Sequence, residues 1–524
     1  MIYSHKHRLI IYPPETVLPL DIRPEYRKGY ACVEARYNNI LMLAAAGLDV
    51  PSPFDVWEYD WPCRPGEEPH PTQKIMSKHM IIHPRSYVFS DMRTGKSRSA
   101  LWAADQIMRR ARTRVRCLIV SDIEALSKSW EPEIFANFMG LRSCAILYGS
   151  AAKREKELER DVDFYLINHD GLKIGFGKHG KEHTGLARDI LRHNDIKLAV
   201  FDEAASYRNK QTEQWRAAYN LVSKRVSYAW ALTGTPTPNG PIDAYGIKKL
   251  IDLNYKEPFQ DWQDRCTVRK GPFRRVPAPG AEAMVDALLS PAVRISRGQR
   301  FVESEVQVPP PLLVAMTDRQ KELMKLLKQE LLITMDGGED IPAVNEASLR
   351  TKFIQLACGA IYDAEHNTHH IEAGPRLDTL TTLLERIPGK IIVCSPLTSV
   401  VAMLDKKLAS FGCVSILGQD KHGPRRTAAI TRFINGPDKV LNTHPQPISR
   451  GLDLTCASTI IHYAPIDRTE TYLQVAQRIN GPAQKQVRRI IRLAGCGIEI
   501  DMYNKLERNE SLQGVILKLK EMRI

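Results

Sequence analysis

One rhythm in this sequence constrains its fold more than any other feature. Short apolar runs that end in small or polar residues alternate with amphipathic helical segments, and the pattern occurs twice. In the first half the runs are SYVFS, CLIVS, DFYLIN and KLAVF; in the second they are KIIVCS, VSILG, KVLNTH, TIIHY and RRIIRL. Strands buried on both faces read as continuous apolar runs, and alternation with helices builds parallel sheets covered on both sides. The fold class expected is α/β, with one such sheet in each half. At 524 residues the chain is too long for one core, and about two to four domains is the ordinary division.

The first residues differ. They read as short strands (HRLIIY), then a helix with apolar positions Val33, Ile40, Leu41 and Leu43, a stop at Gly47, and a proline-rich connector, WPCRPGEEPHP. The predicted domains are a small accessory domain over 1–68, a first parallel-sheet domain over 69–300, and a helical connector (TDRQKELMKLLKQELL) with a second parallel-sheet domain over 301–524.

Composition narrows the function classes. Hydrophobic residues at 43% and charged residues at 26% exclude a disordered or collagen-like chain. No apolar run approaches the roughly 20 residues that span a bilayer. The first apolar stretch, broken at Pro13 and Pro14, is too short for a secretory signal. A soluble, cytoplasmic protein is therefore expected, with no membrane partner. Lysine plus arginine is 74 against 60 acidic residues, a net charge of +14, which favours a polyanionic partner, nucleic acid ahead of a membrane surface. The 10 cysteines are scattered with no C-x-x-C pair, which disfavours disulfides and structural zinc.

Three segments carry chemistry. In SYVFS-DMRTGKS-RSALWAADQIM a strand ends near Ser90 and a helix begins near Lys96, a geometry that aims backbone N–H groups and the positive helix end at a phosphate. Gly95 permits close backbone approach, Lys96 reaches the β/γ-phosphates, and the Ser97 hydroxyl suits Mg²⁺. The full G-x-x-x-x-G-K-[ST] pattern is not met, because Ser90 stands where its first glycine belongs. In KLAVF-DEAASYRN a buried strand delivers Asp202 and Glu203 to its C-terminal end, where parallel sheets bind ligands. One acid can hold a metal through water while its neighbour faces an attacking water. In YAWALTGTPTPNG another apolar strand ends in Thr233-Gly234-Thr235-Pro236, hydroxyl groups on a flexible exit. Together they fit one site: phosphate loop, metal acid with base, and hydroxyl sensor.

With these residues in view, the chain resembles a superfamily 2 helicase, most closely the Swi/Snf-like DNA-dependent ATPases of the bacteriophage type. The resemblance runs from about residue 70 to the C-terminus. Pro71-Thr72-Gln73 is similar to the family's adenine-reading segment, DMRTGKS to motif I, and LIVSDIEALSKSWEPEIFANF, with Trp130, to motif Ia. FYLINHDGL, with His169, resembles motif Ib, DEAASYRN motif II, and LTGTPTPNG motif III. GKIIVCSPLTSVVAMLDKKL, SRGLDLTCAST and QVAQRINGPAQKQ resemble motifs IV, V and VI. The order of these segments is more specific than any one of them.

The resemblance implies two RecA-like domains in tandem closing over ATP, with nucleic acid across both. It implies that Gln73 selects adenine, that Arg93, Thr94, Gly95, Lys96 and Ser97 cradle the phosphates, and that Ser97 and Asp202 hold Mg²⁺. It implies Glu203 as the base for the attacking water, with Arg478 and Gln484 closing from the second domain. Thr233, Thr235, Trp130, His169, Gly451, Asp453 and Gln474 would couple nucleotide state to nucleic acid. Three departures stand out. Arg93 occupies a glycine position of motif I, Ala205 replaces the DEAH histidine, and Gly481 falls where motif VI carries a second arginine. That arginine is the expected finger on the γ-phosphate, a contribution of about 10³-fold or more in related nucleotidases. Either Arg478 shifts into its role, or Arg488 or Arg489 substitutes, or hydrolysis is slow.

The function expected is an ATP-dependent DNA translocase or helicase, acting on duplex or branched DNA, with RNA the less favoured substrate and replication or recombination proteins as further partners. One alternative is an annealing or fork-regressing helicase, marked by fork-stimulated ATPase activity that is lost on deleting residues 1–65. Another, of a different class, is a catalytically weak ATP-gated DNA-binding protein. Remaining signals are weaker. MRRARTRVR reads as a solvated helix end ahead of a phosphate surface. RKGPFRR is a DNA candidate through Phe273. EHNTHH (His366, His369, His370) lacks a nearby cysteine and reads as a polar loop ahead of a metal site.

Overall fold

The structure, a computed structural model, describes residues 1–91, 93–173, 195–270, 275–296, 306–336, 343–362, 368–420, 423–449, 452–480 and 486–507. The chain divides into two compact units, Met1–Lys270 with Arg275–Phe301, and the remainder from Val302.

The first unit opens with an antiparallel sheet of β1 (Ile2–Ser4), β2 (Leu9–Tyr12), β3 (Glu25–Arg27) and β4 (Tyr30–Glu34) in the order β1-β2-β4-β3. Lys28 and Gly29, both at positive φ (49° and 87°), make the tight turn between β3 and β4. Val33, expected in a helix, pairs with Ile10 in β4; a β-branched residue in an apolar run packs better on a pleated sheet, and the helix starts only at Tyr37 (Tyr37–Ala45). Ile10, Tyr12, Ala31, Val33, Ile40 and Leu43 form the core of this module.

The proline-rich stretch that follows is bound to the helix Lys96–Arg110. The Phe54 and Trp61 rings stack at 4.3 Å, and Trp61 meets Trp102 edge-on at 5.4 Å. Trp102 donates its indole N–H to the Pro62 carbonyl (2.8 Å), and the Tyr59 hydroxyl donates to Asp105 (2.6 Å). Asp105, 1% exposed, also takes Arg142 at 2.7 Å and Arg109 at 2.8 Å. A buried carboxylate persists only when paired and hydrogen-bonded in this way.

The main sheet of the first unit contains β5 (Arg85–Ser90), β6 (Arg116–Ser121), β7 (Cys144–Leu147), β8 (Phe164–Asn168), β9 (Ile196–Phe201), β10 (Tyr228–Thr233) and, beyond the hairpin β11 (Thr267–Arg269) and β12 (Arg275–Pro277), β13 (Ala292–Ile295). Its order is β13-β5-β10-β9-β6-β8-β7, and every pairing is parallel. Alternate residues serve opposite apolar layers. Tyr87, Phe89, Leu118, Val120, Ala199 and Phe201 face one layer; Val88, Cys117, Ile119, Leu198, Val200 and Trp230 face the other. That two-sided burial is what the continuous apolar runs encode.

The second unit repeats the plan with β14 (Val306–Gln307), β15 (Leu312–Leu313), the hairpin β16 (Ala360–Tyr362) and β17 (Thr368–His370), then β18 (Lys390–Cys394), β19 (Cys413–Ile416), β20 (Val440–Thr443), β21 (Ala457–His462) and β22 (Arg488–Ala494). Its parallel sheet runs β14-β22-β21-β18-β20-β19, with β15 also on β22. The helices Asp318–Asp336 and Ala343–Cys358 occupy the stretch read as a helical connector. Inside this unit Arg376 and Glu499, 2% and 0% exposed, form an ion pair at 2.8 Å. Arg376 also donates to the Leu493 carbonyl (2.9 Å), and Glu499 accepts the Gly495 amide (2.7 Å).

Among the described residues, no helix is long and apolar enough to cross a membrane, and no group of three or more His, Cys, Asp or Glu could hold a metal ion. Three of the five arginines of MRRARTRVR are ion-paired within the unit. Arg109 meets Asp60 and Asp105, Arg114 meets Asp161 and Asp163, and Arg116 meets Asp161 and Asp195.

Candidate active site

Sheet order sets the site. β10 lies between β5 and β9, so the loops leaving three adjacent parallel strands share one C-terminal edge, where such sheets bind ligands. Those loops are Asp91–Gly95, Asp202–Glu203 and Thr233–Thr235.

The loop after β5 turns through two left-handed residues, Arg93 (φ 66°) and Gly95 (φ 88°). At the first, a side chain in this conformation costs about 1–2 kcal/mol, which is why a glycine suits such a position. Thr94, fully buried, donates its hydroxyl to the Asp91 carbonyl (2.8 Å). Gly95 then opens the helix Lys96–Arg110, and no side chain caps that helix start. Its first amides therefore suit an anion. The Lys96 ammonium, 9% exposed, bonds the Ser90 carbonyl and, at 3.3 Å, that of Asp91. Ser97 is half-buried in the first turn.

Asp202 and Glu203 leave β9 in a sharp turn, with Glu203 itself left-handed at φ 48°. The Asp202 carboxylate is held on both oxygens. Oδ2 accepts the Ser121 hydroxyl (2.8 Å) and the Trp130 indole N–H (3.0 Å), while Oδ1 accepts the Glu203 amide (3.1 Å). Ser121 carries no sequence signal beyond its place at the end of CLIVS. On the other side of β10's exit, a Cβ added to Gly234 would lie 3.9 Å from Lys96 Nζ and 3.4 Å from the Ser90 carbonyl. The structure thus brings the threonine loop against the lysine loop. Thr233 is fully buried and accepts the Thr235 amide at 3.2 Å.

Three further expected residues, Gln73, Trp130 and His169, are buried. Gln73, 1% exposed, caps its own helix (Pro71–Ile82): its Oε1 accepts the His70 amide at 2.9 Å. Its Nε2 is buried with no hydrogen-bond partner, which leaves a donor of the kind that reads a ring nitrogen. Ser77, one turn on, lies 3.0 Å from the Gln73 carbonyl and 2.9 Å from that of Ser99, joining this helix to the lysine helix. Trp130 is fully buried, its indole N–H on the Asp202 carboxylate. His169, 7% exposed, bonds the Tyr207 hydroxyl at 3.1 Å, tying the motif Ib segment to the turn after Glu203.

In the second unit Arg478 is 4% exposed, and its guanidinium is turned inward. It donates to the carbonyls of Gln474 (3.2 Å), Leu452 (3.0 Å) and Ser449 (2.5 Å), and the Leu454 amide donates back to the Arg478 carbonyl (3.2 Å). In this conformation its donors brace the motif V loop. Arg488, the first substitute, is 1% exposed at the start of β22. Asp453 accepts the amide (3.0 Å) and hydroxyl (2.7 Å) of Thr455, closing a local turn. Gln474 is 7% exposed. Gly451, Phe273, His366, Gly481 and Gln484 lie outside the described residues.

The SNF2-related domain family matches residues 69–347, more than half of the chain. This protein belongs to the SNF2-related family. The helicase conserved C-terminal domain matches 375–480, the stretch that holds β18 to β21 of the second sheet. As an SNF2-related protein it is a DNA-dependent ATPase of the helicase class, built of two RecA-like domains. It is 21% identical over 434 residues to protein p41 of Acyrthosiphon pisum secondary endosymbiont phage 1, covering 80% of this chain and 90% of that protein. It is 30% identical over 230 residues to the DNA repair protein RAD5 of Candida glabrata, covering 41% of this chain but only 19% of RAD5. Its likeness to the Sulfolobus solfataricus SWI2/SNF2 ATPase core in complex with dsDNA has a TM-score of 0.40 at 17% identity, over 88% of this chain and 96% of that one.

Proposed function

We propose that this SNF2-related ATPase is a translocase on DNA, using ATP hydrolysis to move along duplex or branched DNA. The observation that carries this reading is the shared edge of β5, β10 and β9, with Lys96, Thr233 and the Asp202–Glu203 pair on neighbouring loops. Lys96 would exchange its loop carbonyls for phosphate oxygens, aided by the uncapped amides after Gly95. Gln73 would offer its unpaired amide N–H to adenine. The residues suit magnesium: the Ser97 hydroxyl and the lone pair left on Asp202 Oδ1 are hard oxygen donors. Magnesium, when bound, would neutralise charge on the phosphates. Glu203, next to Asp202 in a left-handed turn, would orient and deprotonate the attacking water. The net charge of +14 supports phosphate contacts as the main source of DNA affinity, with steep salt dependence. The similarity to RAD5, a DNA repair protein, supports the same substrate class.

The test is the ATPase rate titrated with single-stranded DNA, duplex, forked DNA and RNA at two salt concentrations, with Glu203→Gln as control. Stimulation by duplex or forked DNA, lost in the control, supports the reading. A second reading, an ATP-gated DNA-binding protein with weak turnover, is favoured by the inward-turned Arg478 together with Gly481 in the arginine position. Wild-type turnover no faster than that of Glu203→Gln would select it.

A further inference from the structure

Asp202 is gripped by two side chains from an element distant in sequence, and the way that element is built points to a purpose. The register of β6 on β9 sets Val120 beside Phe201, and the Asp202 amide donates to the Val120 carbonyl at 2.9 Å. The residue after Val120 is therefore placed abreast of the acid. That residue is Ser121, 1% exposed, and its hydroxyl reaches Oδ2 at 2.8 Å. The chain then enters a helix over Ile123–Phe138 that is not uniform: Leu126–Trp130 is a π turn, in which the Glu131 amide bonds the Leu126 carbonyl five residues back. A π turn inserts one residue into the helical repeat and so changes which side chain faces inward. Here Leu126 and Trp130 are both fully buried, and the Trp130 indole N–H reaches the same Oδ2 at 3.0 Å.

The consequence for the carboxylate follows from counting acceptors. Oδ2 takes two donors, which use both of its in-plane lone pairs. Oδ1 takes only the Glu203 amide and keeps one lone pair. The carboxylate is thereby fixed in rotation with a single lone pair left to offer.

We propose that Ser121 and Trp130 are positioning residues for the metal acid, a hydroxyl–indole clamp that fixes the Asp202 carboxylate so that Oδ1 alone serves the magnesium ion. The proposal rests on the reading of Asp202 as the magnesium acid. Partners that orient a metal-binding carboxylate typically contribute about 10–100-fold to affinity or activity. Trp130 would do so from the motif Ia helix, with no contact to substrate.

The test uses the full chain. Ser121→Ala removes the hydroxyl, Ser121→Thr keeps one, and replacing Trp130 by 3-benzothienylalanine keeps the ring shape without the N–H; Trp130→Phe is the simpler companion. Two quantities are measured: Mn²⁺ affinity by electron paramagnetic resonance with ADP bound, and the Mg²⁺ concentration giving half-maximal ATPase activity. Ser121→Ala and the benzothienyl variant are expected to weaken Mn²⁺ binding about tenfold and to raise the Mg²⁺ requirement by the same factor. KM for ATP at saturating Mg²⁺ should stay unchanged, and Ser121→Thr should restore both values. If either variant folds and keeps wild-type Mn²⁺ affinity and Mg²⁺ dependence, the clamp is refuted, while a metal-binding defect in Asp202→Asn would leave the magnesium reading standing. If Asp202→Asn itself binds Mn²⁺ as wild type does, the magnesium reading fails and the clamp with it.

Discussion

The Arg478 guanidinium donates to the Leu452 carbonyl at 3.0 Å, so the arginine of motif VI braces the loop of motif V. With further bonds to Gln474 and Ser449, the buried cation holds three main-chain oxygens. Hydrogen bonds from charged groups contribute about 1.5–3 kcal/mol each, and losing them leaves buried acceptors unpaired. Arg478→Gln is expected to lower the stability of the second lobe by roughly 2–4 kcal/mol, read from its urea unfolding transition. An arginine acting only on the γ-phosphate would leave that transition in place and lower kcat alone.

A second buried charge gives a larger effect. Glu499 and Arg376 face each other at 2.8 Å with almost no exposure. Removing one partner strands the other, at a cost of about 3–5 kcal/mol. Glu499→Gln should therefore unfold at markedly lower denaturant, whereas the double change Arg376→Met with Glu499→Leu should recover much of the loss. Chemical denaturation of the three proteins side by side checks this.

Two glycines should separate packing from catalysis. A Cβ on Gly246 would lie 2.1 Å from the Arg208 carbonyl oxygen, a backbone atom that cannot yield cheaply. Gly246→Ala is expected to cost about 3 kcal/mol or more and to lower Tm accordingly. At Gly234 the nearest atom is 3.4 Å away, an ordinary contact, but Lys96 Nζ stands at 3.9 Å. Gly234→Ala should keep Tm within a degree or two, while KM for ATP rises roughly tenfold, about 1.4 kcal/mol of lost binding.

Acid sensitivity should follow two histidines. Burial, with Arg492 adjoining, pushes His462 down to about 3, and burial with His83 nearby pushes His79 down to about 4, from an ordinary 6.5. In those intervals the unfolded chain binds more protons than the folded one, so stability rises with pH. Nothing is lost above about 6.5. As pH falls below it, each histidine costs up to about 1.4 kcal/mol per pH unit, until about 4 for His79 and about 3 for His462. Urea midpoints at pH 7.5 and 5.0 should show the drop, and His462→Phe should reduce it.

The parts of the fold legible in the sequence were those carried by local apolar pattern. SYVFS, CLIVS, KLAVF and YAWALT are strands because each buries both faces, and their polar exits hold Lys96, Asp202 and Thr233. β7 and β13 lie outside the marked runs, and Arg294 interrupts the apolar run of β13. Val33 misled because an apolar residue four before Tyr37 fits a helical stripe as readily as a strand. What stayed hidden was non-local: Ser121 and Trp130 reach Asp202 only once β6 and β9 are in register, and the inward turn of Arg478 depends on carbonyls as far back as Ser449.

The rings of Phe54, Tyr59 and Trp61 sit in or against the apolar layer beneath the lysine-bearing helix. The first 65 residues are thus no detachable appendage. A chain shortened at that point would lose heat tolerance along with whatever the small antiparallel sheet recognises, and a drop in fork-stimulated turnover would report only damage. Shortening before Phe54 keeps the three rings in place, and any preference for branched substrates that then disappears can be credited to the sheet.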